Sequence, residues 1–447
     1  MQLIPIFPLI GYLLSSLSTV EAADVTYCNS TANCPKSLPC CSTYGTCGNG
    51  SYCLGGCDVR YSYNLTACMP MPIMSKMNTT FDSTDLLLDQ STYLGNSTES
   101  DWLYTGYIDD YDDALIIQMP NGTTGTVVSS SQYLFYGKVS AKVKTSRTQG
   151  VITAFILFSD VQDEIDYEFV GYNLTSAQSN YYSQGYLDYN NVLDINTTDT
   201  FENWHIYEVD WSEDAVKWSI DGDVVRTLNK SDTFNDTTNR YSFPQTPSRV
   251  QLSLWPGGAA SNAIGTIEWA GGEVNWDSED IQKHGYFYAE LAWLSVEPYD
   301  TPGGVKKIGC NGTSCNAYLY NSTDGDQQNV TMVKKITYLG NEGATGLDPQ
   351  NEEEEIVSTY TSGSSTFTST TTKGVTAKVT DKSTTTQGEV TPSGYDPTMG
   401  FVQNSDATAT GDAETTSRSN AAEGQFSAVG ITGILGAIAM GIISFLS

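Results

Sequence analysis

Positive charge is scarce in this 447-residue chain: 21 Lys and Arg stand against 52 Asp and Glu, a formal net charge of −31. A phosphate backbone needs basic partners, so nucleic acid is excluded as a partner class. Histidine is scarcer still. His205 and His284 are too few for a common zinc site, and no G-x-S-x-G nucleophile elbow occurs. His205, inside "NWHIYEVDW", reads as a structural strand residue. No metal and no other cofactor is implied. Long helical periodicity is also missing between about residues 75 and 300. What is abundant is Tyr (28), Trp (8), Gly (40) and small polar residues, a composition suited to an extracellular β-protein that handles neutral polymers.

The two long apolar runs sit at the ends. "LIPIFPLIGYLL" followed by "VEAAD" has the form of a secretory signal over residues 1–22, with cleavage near Ala22 or Ala23. It is far short of the roughly 20 apolar residues that a bilayer crossing needs. "AVGITGILGAIAMGIISFLS" ends the chain, after small residues at Asn420, Ala421 and Ala422 and a polar spacer. This is the pattern of a GPI-attachment signal over 421–447, with Asn420 the expected anchored residue and a site near Gly411 the alternative. A permanent tail anchor is the competing reading. Membrane contact is therefore expected only through the GPI anchor.

Thirteen Asn-x-Ser/Thr sequons between Asn29 and Asn329 fit a secreted glycoprotein. Residues 346–420 form a Ser/Thr-rich stalk, since "STYTSGSSTFTSTTTKGVTAKVTDKSTTT" has almost no apolar periodicity. The expected location is outside the cell, at the outer face of the plasma membrane.

Eight of the ten cysteines fall between residues 28 and 68. A segment of that size buries too little apolar surface to fold unaided, so four disulfides are its expected framework. Spacing alone leaves the pairing open among the 105 that eight cysteines allow. Zinc ligation is disfavoured by export and by the lack of nearby His. Cys310 and Cys315 are expected to close a small loop within a C-terminal extension, 301–345.

Residues 71–300 read as β-structure, with runs such as "QYLFYGKVSAKVKTS", "VITAFILFS" and "RVQLSLWP" separated by Gly, Asn, Asp and Ser. "SIDGDVV" carries an Asp-Gly hairpin signal. An all-β sandwich follows. Within it, "SDVQDEIDYEFVG" repeats acids at Glu164, Asp166 and Glu168. On a strand these three share one face while Ile165, Tyr167 and Phe169 take the other. Residues four apart are roughly 13 Å apart at Cα, so two Glu side chains reaching towards each other come to about 5 Å, the separation of a retaining glycosidase. Three acids this close cannot all ionise, and at least one pKa should rise. The bland alternative is a solvated acidic strand.

Two resemblances extend this reading. "CCSTYGTCGNGSYC" resembles the hevein-type chitin-binding module, here spanning residues 23–70. By position it implies sugar contacts from Ser42, Tyr44 and Tyr52, with Thr46 where the family often has another aromatic. A disulfide knot serving only as a spacer is the competing reading. "DEIDYEF" resembles the signature of glycoside hydrolase family 16, whose fold is a curved β-jelly-roll sandwich. Transferred by position, Glu164 is the nucleophile, Asp166 the assisting acid and Glu168 the acid/base. "LSLWPGG" and "GTIEWAGGEVNWDSEDI" narrow the resemblance to the Crh family of fungal cell-wall transglycosylases, in the branch with a chitin-binding module and a GPI anchor.

That resemblance implies a chitin donor and a β-glucan or chitin-oligosaccharide acceptor. Transfer needs an acceptor that outcompetes water, and Trp255, Trp269 and Trp276 are the candidate aromatic platforms. The alternatives are a β-glucanase or chitinase that only hydrolyses, and a non-catalytic polysaccharide-binding wall scaffold.

Overall fold

The computed structural model describes residues 25–236, 239–351, 355–362 and 365–372. The signal segment, Asn420 and the 421–447 segment lie outside the described residues.

Two eight-stranded sheets form the body of the molecule. One contains β1 (Leu87–Asp89), β2 (Trp102–Thr105), β3 (Thr126–Ser130), β4 (Val151–Ser159), β5 (Glu164–Val170), β6 (Ser176–Tyr182), β7 (Leu193–Asn196) and β8 (Ser248–Pro256). Their order across the sheet is β7-β6-β5-β4-β8-β3-β2-β1. All these pairings are antiparallel except β1 with β2. The second sheet is centred on Gly137–Lys144 and Tyr286–Pro298, paired antiparallel.

The alternation written into each strand decides its facing. On β5, Ile165, Tyr167 and Phe169 enter the core between the sheets, as do Phe155 and Leu157 of β4 and Val250, Leu252 and Leu254 of β8. Trp211 and Trp218 of the second sheet fill the space opposite, both fully buried. The residues between them on β4, β5 and β8 take the outer face. The Asp-Gly hairpin forms as the sequence predicts. Asp221 and Gly222 have φ of 53° and 92°, the left-handed pair of a primed turn, between strands Ala215–Ile220 and Asp223–Asn229. α-Helices are confined to Ile264–Trp269 and Glu279–His284 among the described residues.

The cysteine-rich segment pairs Cys28–Cys41, Cys34–Cys47, Cys40–Cys53 and Cys57–Cys68. It does not hang free. Leu54, Ala67 and Met69 share a buried cluster with Tyr93 and Leu103 of the sandwich and with Leu339 and Ala344. The Gly50 and Gly346 amides donate to the carbonyls of Ala344 and Ala67, both at 2.9 Å. Gly346, expected to begin the stalk, is thus folded against the module, and residues 348–351 turn back onto 340–345. Cys310–Cys315 closes its short loop. The surrounding extension builds a four-stranded sheet that recruits Met71–Pro72 to Ala317–Tyr320. Beyond it, Glu355–Ser362 and Ser365–Thr372 pair as a hairpin within the stalk region.

Candidate active site

Strand β5 is regular. Its pairings with β4 and β6 run without a register shift, whereas Gly137–Lys144 slips against its neighbour between Lys142 and Val143. Regularity keeps Glu164, Asp166 and Glu168 on one face. Two hydrogen bonds fasten the strand from behind, across the sandwich. Trp218 Nε1 donates to the Asp166 carbonyl at 3.0 Å, and Tyr167 Oη donates to the Ser219 carbonyl at 2.9 Å. Core aromatics thereby fix the height of the acids.

Register fixes their neighbours. Glu164, Asp166 and Glu168 lie opposite Tyr182, Asn180 and Gln178 of β6. On the other side they face Phe158, Ile156 and Ala154 of β4, which in turn face Arg249, Gln251 and Ser253 of β8. All three acids are buried, at 2 %, 0 % and 0 % exposure.

Burial dominates their ionisation. It pushes Glu164 well above the usual carboxylate range, and the neighbouring Asp166 charge adds to the rise. Glu168 is raised in the same way, by burial and then by Asp166 and Glu164. Asp166 is pushed up to about 8 by burial, opposed by the Arg226 guanidinium and the Asn180 backbone amide. Arg226 is anchored nearby on the Ser179 and Asn191 carbonyls, at 2.7 and 2.6 Å. Burial and mutual repulsion therefore favour the protonated forms, and a single negative charge shared among the three is the least costly ionised state.

The polar atoms around them are primed for a ligand. Both oxygens of Asp166 and Glu168, Glu164 Oε1, both side-chain atoms of Asn180, Tyr182 Oη and Gln251 Nε2 are buried without a hydrogen-bond partner among the described residues. A folded protein rarely leaves such a concentration of unsatisfied groups in one place unless something polar binds there. A polyhydroxylated ring supplies donors and acceptors of the required kind.

Trp255 and Trp269 border the Glu168 end. Their rings stack with centroids 6.1 Å apart. Trp269 Nε1 donates to Gln178 Oε1 at 2.8 Å, and Gln178 is the cross-strand partner of Glu168. Both rings belong to a small buried cluster with Ile152, Ala154 and Ile156. Trp276 is placed elsewhere. It is half-buried on Phe287, 5.7 Å between centroids, and packs against the core between the sheets.

Comparison with known proteins identifies the family. Residues 96–271 match glycosyl hydrolases family 16. Crh-like protein UTR2 of Candida albicans is 54% identical, over 98% of this chain and 98% of its own. Congo red hypersensitive protein 2 of Saccharomyces cerevisiae is 50% identical, over 75% of this chain and 72% of its own. The chain belongs to the Crh-like proteins of glycosyl hydrolases family 16. A solved structure, Crh5 transglycosylase in complex with NAG, aligns with a TM-score of 0.49 at 26% identity, over 62% of this chain and 99% of that one.

The residues expected to hold sugar in the module of this Crh-like chain have unequal surroundings. Tyr52 is exposed and lies over Gly48, where a Cβ would fall 2.4 Å from its ring. Ser42 Oγ pairs with Thr46 Oγ1 at 2.7 Å. Tyr44 is half-buried, with its hydroxyl turned inwards and close enough to Arg249 of β8 to feel that charge. His205 is a strand residue whose ring nitrogens contact Asp221 and Thr198, at 2.7 and 3.0 Å.

Sequence reasoning missed Gln178, Asn180, Tyr182 and Gln251. Only Gln251 carried a signal, since "RVQLSLW" alternates polar and apolar residues with the same period of two as the acids, whereas "AQSNYY" has three polar residues in a row. Arg226 carried no local signal, because it reaches the site from the other sheet.

Proposed function

We propose that this protein is a retaining transglycosylase of the cell wall, which cleaves chitin through a glycosyl-enzyme and passes the new reducing end to β-glucan or chitin. The observation that carries the reading is the buried triplet on regular strand β5, with its cross-strand ring of unpartnered polar side chains.

Glu164 attacks the anomeric carbon as the glycosidic bond breaks. Glu168, whose protonated form is favoured by burial and by the neighbouring Asp166 and Glu164 charges, gives its proton to the leaving oxygen and becomes the base that activates the acceptor. Asp166, between them and neutral below about pH 8, leaves the remaining negative charge to a glutamate. Positive charge developing on the sugar ring then meets a fixed anion in a site without bulk water, where it is stabilised most. Asn180, Tyr182 and Gln251 are suited to the hydroxyl and acetamido groups of the donor. The buried Trp255–Trp269 pair backs the Glu168 end of the site, the side proposed to take the acceptor.

Ser42 and Tyr52 of the cysteine-rich module are proposed to contact chitin outside the catalytic site. The five disulfides support an exported, extracellular protein. Among the described residues no helix is long and apolar enough to cross a membrane. Attachment through Asn420 remains part of the proposal and rests on the terminal sequence alone.

The test is to mix the purified protein with chitin oligosaccharides and a fluorescent β-1,3-glucan oligosaccharide, with Glu164→Gln and Glu168→Gln alongside. Labelled products should lengthen with wild type and fall at least about 10³-fold with either variant. Donor shortening without labelled growth would mean hydrolysis. No change in either sugar would mean a binding scaffold.

A further inference from the structure

Glu164 is the first residue of β5, so the turn that delivers the chain to it sets its position. That turn, residues 160–163, carries Gln162 in the left-handed region at φ 63°, which costs a non-glycine residue energy and requires outside support. Part of the support comes from the sandwich. Asp163 accepts from the backbone amides of Gln184 and Gln245 and from the Thr246 hydroxyl, at 2.6–2.8 Å.

The rest comes from the cysteine-rich module. The Gly56 amide donates to Asp160 Oδ1 at 2.9 Å. Gln162 Nε2 donates to the Thr43 carbonyl at 3.2 Å, and Arg60 Nη2 donates to Gln162 Oε1 at 3.1 Å. The module thus engages both ends of the Gln162 amide. Arg60 Nη1 also donates to the carbonyl of Gln184, the residue whose amide caps Asp163. Arg60 is itself locked by Asp58, to which Nε and Nη2 donate at 3.0 and 2.7 Å, and both side chains are almost wholly buried. Gly55 permits this close approach, since a Cβ there would lie 2.7 Å from Arg249 Cζ. Arg249 is in register with Phe158 and, through it, with Glu164.

We propose that the cysteine-rich module is a positioning element of the active site, with Arg60 the residue that fixes the turn ahead of Glu164. This role is separate from any sugar contact by Ser42 or Tyr52, and it rests on Glu164 being the nucleophile. A carboxylate displaced by about 1 Å can lose about 10²-fold in rate, so a clamp on the turn acts on turnover more than on substrate affinity. The guanidinium holds two segments at once, with two differently directed N–H groups. An ammonium at the same place satisfies only part of this arrangement.

The test uses the full secreted chain with Arg60→Lys, Gln162→Ala and the double substitution. Gln162→Ala leaves the buried Asp58–Arg60 pair intact, and so remains informative if an Arg60 variant fails to be exported. Each single change should lower kcat for transfer about tenfold, with donor KM within about twofold and retention on chitin unchanged. The double should be no worse than the poorer single, because both remove one link. Wild-type kcat in both singles, or losses that multiply in the double alongside a falling Tm, would overturn the positioning role. An inactive Glu164→Gln beside normal Arg60 and Gln162 variants would overturn this inference alone. Transfer lowered by less than about 10-fold in Glu164→Gln would remove the nucleophile assignment and the inference with it.

Discussion

The cysteine-rich module and the β-sandwich solve the same problem by opposite means. The sandwich buries large aromatics and branched aliphatics between two sheets, and its order follows from apolar alternation. The module, with strands of two residues, is tied by four disulfides that span 11 to 13 residues each. A chain that short cannot bury enough surface alone, so it restricts its unfolded state instead. Yet the two are not independent bodies. Val59 belongs to the sandwich core, and Leu54 and Met69 share a cluster with Tyr93 and Leu103. Covalent stiffness makes the module a rigid surface, and apolar burial then glues that surface to the site-bearing sheet.

The largest expected effect on this comparison comes from cutting a staple. Replacing both Cys40 and Cys53 with Ala should cost about 3 kcal/mol from the loop-closure entropy, and more because Cys40 and Cys53 are wholly buried. If the module supports the turn before Glu164, transfer activity should fall together with module stability in denaturant titrations. The Cys310→Ala/Cys315→Ala pair is the control, since its five-residue separation should cost about 2 kcal/mol by the same entropy and leave turnover intact. Equal losses of activity from the two double variants would argue that the module acts only through overall stability.

A smaller effect tests the sandwich side. Asp166 has a folded pKa of about 8, against about 3.9 in an unfolded chain. Between those values the unfolded chain releases a proton that the folded chain keeps, so stability falls as pH rises from about 4 through about 8. Asp166→Asn should therefore raise Tm at pH 8, by about 2–4 °C for each kcal/mol recovered, with little change at pH 4. A variant whose Tm difference from wild type is the same at both pH values would show that Asp166 does not carry that proton. The transfer rate of wild type should decline on the alkaline side as Glu168 loses its proton.

The smallest effect concerns the aromatic border. Trp269→Phe keeps the stacked pair with Trp255 but removes the Nε1 bond to Gln178, and should cost about 1 kcal/mol. Labelled-acceptor transfer should drop several-fold more than donor cleavage; equal drops would assign Trp269 to packing alone.

Much of this was readable before any coordinates. The E-x-D-x-E period told which side of a strand the acids share, because side-chain alternation is a local property of an extended backbone. The turn chemistry of Asp221-Gly222 and the need for disulfides between Cys28 and Cys68 are local or compositional in the same sense. The candidate platform Trp276 shows the limit. It sits in the same Gly-rich stretch as Trp269, and only the packing on Phe287 separates the two. Gln251 was visible as an alternating polar residue and Asn180 only as one of three consecutive polar residues, and nothing local said that they flank the acids.

The sequence by itself determined the β-class, the common facing of the three acids, and the covalent character of the module, since each depends on periodicity, composition or residue chemistry. Tertiary structure alone decided which cysteines pair and that Arg226 lowers the Asp166 pKa from across the sandwich. It also decided that Arg60 reaches Gln162, 102 positions away. Those depend on register between strands and on docking of distant segments, whose energies are sums over many weak contacts and leave no mark at any single position in the chain.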